Sequence, residues 1–102
     1  MALFNALMRY KTEGRLLSFD MHGDKKSTVK LAGASSFVIY MSTDYIIGEA
    51  EIKEASMVPM ATYVIYNDWD RVSQSAFQLA KRLKIEICTF GAFGHRLDAL
   101  NP

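Results

Sequence analysis

Little in this sequence offers a covalent or metal framework. A single cysteine, Cys88, excludes an internal disulfide, and one cysteine with two distant histidines falls short of a zinc-ligand set. Ser35, Ser36, Cys88 and the histidines form no nucleophile triad. Charge of either sign is not in excess: 12 Lys and Arg stand against 11 Asp and Glu, so net charge supplies no general attraction to nucleic acid or anionic lipid. No apolar run approaches the ~18 residues of a membrane span, and "MALFNALMRYKTEG" lacks a basic segment followed by an uninterrupted apolar one. The expectation is a cytoplasmic domain without membrane partners, with Cys88 a small buried residue on an apolar strand.

What is present is ordinary globular material. Half of the residues are hydrophobic and 23% are charged, well outside the composition of disorder. At 102 residues, spanning positions 1–102, the chain has room for one domain, which buries roughly two-thirds of its unfolded surface.

Leu3, Leu7 and Tyr10 recur at helical spacing, with Phe4 and Met8 widening the stripe, so a short helix is predicted from Ala2 to Thr12 with Gly14 ending it. "RLLSFDM" alternates, and the polar turn "HGDKKS" leads it into "TVKLA" as a hairpin. "SSFVIYMS" reads as a buried strand, as does "ATYVIYN", which is apolar on both parities and belongs mid-sheet. Val72, Ala76, Leu79, Ala80 and Leu83 trace one helical face, with Asp68 or Asp70 as its cap. "KIEICTF" supplies a following strand, which makes a C-terminal βαβ unit with parallel neighbours and a right-handed crossover. "GHRLDAL" adds a last helical turn.

Three stretches carry candidate chemistry. In "YIIGEAEIKEA", read as a strand, Glu49, Glu51 and Lys53 share one face while Ile46, Gly48, Ala50 and Ile52 share the other. That face is either a solvated ladder or a Mg²⁺ site in which carboxylates hold the ion and Lys53 stands beside the attacking water. "NDWDR" places Asp68 and Asp70 at the carboxyl end of a central strand, where open sheets bind ligands, although helix capping accounts for both. "FGAFGHR" brings Phe90, Phe93, His95 and Arg96 to the end of the last strand as a candidate binding rim.

Residues 61–100 resemble the C-terminal portion of Mrr-type restriction endonucleases. The pattern is an apolar strand, an acid near a helix start, alanines along the helix and a strand leading to a leucine-rich end. Its matching positions here are Val64, Ile65, Asp70, Ala76, Ala80, Ile85, Ile87, Leu97 and Leu100. The resemblance implies a restriction-endonuclease-like fold acting on nucleic acid with Mg²⁺. Its acid-x-lysine signature falls on Glu51-Ile52-Lys53, with Asp44 or the more distant Asp20 as the preceding acid and Glu49 as a further metal ligand. In that family a helix separates the lysine-bearing strand from the next. Only eight residues, Glu54 to Ala61, separate Lys53 from Thr62, which predicts a tight turn and hairpin neighbours instead.

The expected fold is therefore α+β: an N-terminal helix, an antiparallel meander of about four strands and a C-terminal βαβ unit. The expected function is a noncatalytic interaction or regulatory module without cofactors. It would use an exposed strand edge or the Phe90 and Phe93 region to bind a protein partner or form a homodimer. The alternative is a Mg²⁺-dependent nuclease-like domain.

Overall fold

A computed structural model describes residues 3–31, 33, 35–41, 46–67 and 70–100. The N-terminal helix α1, Leu3–Thr12, buries Leu3, Ala6, Leu7 and Tyr10 and ends at Gly14, whose positive φ of 79° suits a residue without Cβ. Strands β1 (Ser18–Met21) and β2 (Lys26–Lys30) form the hairpin read from the sequence, with Gly23 at φ 81° in the turn. β2 pairs antiparallel with β3, Ser36–Met41.

Beyond β3 the sheet changes direction. β5 (Tyr63–Tyr66) lies parallel to β3, and β7 (Glu86–Thr89) lies parallel to β5. The sheet order is β1-β2-β3-β5-β7, so β5 is interior as expected and the antiparallel part has three strands rather than four. Two-residue strands β4 (Ile46–Ile47) and β6 (Arg71–Val72) pair separately, in parallel.

Two helices make the parallel connections: α2, Glu49–Ser56, between β3 and β5, and α3, Gln74–Leu83, between β5 and β7. The α2 crossover corrects the expected hairpin of residues 45–53 with 61–67. The chain does hold a crossover helix; it is built from the Glu and Lys residues assigned to a strand. The cap of α3 is also corrected. Ser73, neither Asp68 nor Asp70, accepts the Ala76 N–H at 3.1 Å; Asp68 and Trp69 lie outside the described residues.

The sheet is covered on both faces, and strand parity sorts the core in two. Phe37, Ile39 and Met41 of β3, with Ile65 and Cys88, meet Leu3, Leu7 and Tyr10 of α1 on one face. There they also meet Phe93 and Leu97 of α4, Phe90–Leu100, which is three turns long where a single turn was expected. On the other face Val38, Tyr40 and Val64 pack with Ile52 and Ala55 of α2 and with Ala76 and Ala80 of α3. Alanines at the contact allow α2 and α3 to approach each other as well as the sheet. The result is an α+β domain in three layers. Among the described residues no helix is long and apolar enough to cross a membrane.

Candidate functional site

The acid and lysine segment is a helix start, which changes the chemistry of each side chain in it. Gly48 is the N-cap, and Glu51 at the third helical position accepts the Gly48 N–H on Oε2 at 2.7 Å. This is half of a capping box, glycine having no side chain to complete it. Glu49 and Glu51 also place negative charge at the positive end of the helix. Two residues apart on a helix they point to different sides, so they do not converge on one ion. Lys53 lies in the last turn, with its side chain exposed.

The parity reading fails with the strand: Ile46 is 59% exposed and Ala50 is exposed, whereas Ile52 is buried. Asp44 lies outside the described residues. Among the described residues no three of His, Cys, Asp and Glu are grouped to hold a metal ion. The five-stranded-sheet strand that leads towards the crossover is β3, and its "SFVIYM" contains neither acid nor lysine. Glu51 as a cap predicts that Glu51→Gln, which keeps an accepting oxygen, costs little, while Glu51→Ala costs about 1 kcal/mol in denaturant unfolding.

The other sequence candidates are placed apart. Asp70 is buried in a turn in which Asn67 Nδ2 donates to its Oδ2 at 3.2 Å and its own N–H reaches the Asn67 carbonyl. Phe93 is fully buried, and the half-buried Phe90 stacks on Tyr10 with ring centroids 4.9 Å apart. His95 and Arg96 are exposed on α4. Arg96 makes a two-pronged ion pair with Glu86, both N–H donors at 2.8 Å, which ties α4 to β7. The four residues therefore do not form one rim.

A cleft of about 500 Å³ opens between the β1–β2 turn and the C-terminal end of α2, lined by His22, Lys26, Tyr40, Glu54, Met57 and Pro59 among others. Its buried cation is explained by the helix end. Lys26 Nζ donates to the carbonyls of Glu54 at 3.0 Å and Met57 at 2.8 Å at the end of α2, where the Glu54 carbonyl also accepts the capping Met57 N–H at 3.2 Å. Tyr40 donates to Glu54 Oε2 at 3.1 Å beside it. Burial pulls the Lys26 ammonium below its ordinary pKa, and the Glu54 carboxylate opposes that pull. Lys26→Met keeps the stem and removes both donors; the expected cost is about 1–3 kcal/mol, read as a lowered denaturant midpoint.

The remaining feature is the outer edge of β1. Among the described residues this strand ends the sheet, with β2 as its one strand partner. The His22 N–H donates to the Lys26 carbonyl at 2.8 Å, and bonded pairs alternate along an antiparallel ladder, so Asp20 and Ser18 bond inward to Thr28 and Lys30. Phe19 and Met21 then turn their N–H and C=O groups outward.

Apolar surface flanks this edge. Phe4 of α1, 50% exposed, stands edge-on over the Phe19 ring at 5.8 Å. Met8, one turn along α1, and Leu17, just before β1, are 42% and 57% exposed. The widened stripe of α1 was the available sequence signal. Leu3, Leu7 and Tyr10 suffice to dock that helix, which leaves Phe4 and Met8 beyond what its own core requires. At the opposite end of the sheet, β7 carries the Glu86–Arg96 charge pair, a common guard of an edge.

No family model, no curated protein and no solved structure matches the chain.

Proposed function

We propose that the chain is a small noncatalytic interaction module that self-associates through the open edge of β1. The observation that carries this reading is the coincidence of outward Phe19 and Met21 backbone groups with exposed Phe4, Met8 and Leu17. An unpaired edge offers hydrogen bonds that another strand completes, and apolar neighbours add burial when it does. A net charge of +1 opposes the approach of a second copy only weakly. Against the nuclease alternative, Glu51 caps α2 and Glu49 points to a different side of that helix, while Asp44, the other candidate acid, lies outside the described residues.

Sedimentation equilibrium on the full chain tests the reading. The wild type should form a concentration-dependent dimer, and Phe4→Lys with Leu17→Lys should give a folded monomer, because both positions are exposed and tolerate charge in the isolated domain. A wild type that stays monomeric at every concentration overturns self-association. Mg²⁺-dependent cleavage of nucleic acid lost in both Glu51→Gln and Lys53→Ala would restore the nuclease.

A further inference from the structure

We infer that the solvent face of α3 binds single-stranded nucleic acid, with Lys81, Arg82 and Lys84 on phosphates and the Phe77 ring stacked on a base. This surface is separate from the β1 edge and does not depend on self-association. Charge is segregated along the chain. Residues 71–85 hold Arg71, Lys81, Arg82 and Lys84 and no acid, a side-chain charge of +4, which leaves 8 basic and 11 acidic residues, a charge of −3, elsewhere. A chain of net charge +1 therefore carries a local patch of the kind a polyanion needs.

The charges share one face with an exposed ring. Phe77 and Lys81, and likewise Gln78 and Arg82, stand one turn apart on α3; all four are exposed, while Ala76 and Ala80 are buried against the sheet. Phe77 keeps 47% of its surface in solvent. Among the described residues none of Arg71, Lys81, Arg82 and Lys84 makes an ion pair, whereas Arg9, Arg15 and Arg96 are all paired with acids.

Helix stability does not account for this pattern. Cations near the C-terminal end suit the helix dipole, but the same dipole favours acids in the first turn, and α3 has none there. Glutamates at 77 and 78 would pair with Lys81 and Arg82 one turn on, yet those positions hold phenylalanine and glutamine. Lys84 ends the helix in the left-handed region at φ 61°, where glycine is favoured. The face is more positive and more aromatic than folding requires. Unpaired cations attract phosphates, and an exposed ring among them adds a stacking surface that single strands can use and a duplex, with its bases already stacked, cannot.

Fluorescence anisotropy of a labelled oligothymidylate of about 12 nucleotides, titrated with the full chain over a range of salt, tests the surface. The expected result is binding whose log affinity falls against log salt with a slope of about −2 to −3, the value for three or four neutralised phosphates on a single strand. Phe77→Ala should weaken binding roughly tenfold and leave the slope unchanged. Lys84→Gly should weaken binding, make the slope about 0.7 shallower and leave the denaturant midpoint no lower than wild type, which separates a phosphate contact from a structural role. No binding at low salt overturns the proposal. Binding that Phe77→Ala does not alter, a duplex of equal length that competes better than the single strand, or tighter binding to phosphatidylserine vesicles each overturns single-strand recognition.

Discussion

Phe93→Ala should destabilise the domain by about 3–5 kcal/mol, the range for emptying a buried aromatic site. The ring has no exposure and sits among three others, with centroids 5.9 Å from Tyr10, 6.3 Å from Phe37 and 5.5 Å from Tyr63, all in edge-to-face geometry. It joins α1, α4, β3 and β5 at one point, so the cavity cannot be refilled by moving a single element. Against a total stability of about 5–15 kcal/mol for domains of this kind, the loss leaves the variant close to unfolding. The measurement is the denaturant midpoint at unchanged slope. A midpoint equal to wild type would place Phe93 on the surface, as the binding-rim reading of "FGAFGHR" requires.

The second large effect is alkaline. Burial pushes the Cys88 thiol up to about 12, with Glu86 adding to the rise and Arg96 opposing it. Burial likewise raises the Tyr10 hydroxyl, which donates to the Phe90 carbonyl at 2.9 Å, and raises Tyr63. An acid whose pKa is higher folded than unfolded keeps its proton in the native state while the unfolded chain releases it. The unfolded state then binds fewer protons, and stability falls with rising pH from about pH 9 upward. Its contribution is fully present below that pH.

For Cys88 alone the linkage amounts to about 3 kcal/mol by pH 11, and the two tyrosines steepen the same limb. Unfolding free energies followed from neutral to alkaline pH should fall, and Cys88→Ala should flatten the slope by about one proton. A slope unaltered by that substitution would mean that the thiol titrates as freely in the folded chain as in the unfolded one.

Much of this architecture is legible from residue spacing, and the failures have physical causes. The α1 stripe, the β1–β2 hairpin and the β5-α3-β7 unit each combine a strong period with clear punctuation, and each is present. "GEAEIKEA" is different because Glu and Lys alternate with Ala and Ile over a few residues, which imitates period two. Glu, Ala and Lys favour helix, and Ile52 and Ala55 at a spacing of three are the buried pair. Giving that propensity more weight than parity would have found the crossover. In α4, Gly91 and Gly94 conceal a helix that is sustained by burying Phe93, Gly94 and Leu97 on one face.

The open β1 edge was legible only in part. A strand's sequence does not state whether it ends a sheet; that depends on where the later strands are added, and both β5 and β7 join beyond β3. The excess apolar residues on α1 were visible, but their meaning depended on Phe19 lying beneath Phe4 at an open edge.

Amide hydrogen exchange at β1, followed against protein concentration, tests the central claim most directly. Asp20 bonds within the monomer and should be protected at every concentration, whereas the outward N–H groups of Phe19 and Met21 should exchange rapidly when dilute. The account predicts that Phe19 and Met21 become protected as the dimer forms, and that Phe4→Lys with Leu17→Lys abolishes the change. Rapid exchange at both residues in a sample shown to be dimeric would contradict it.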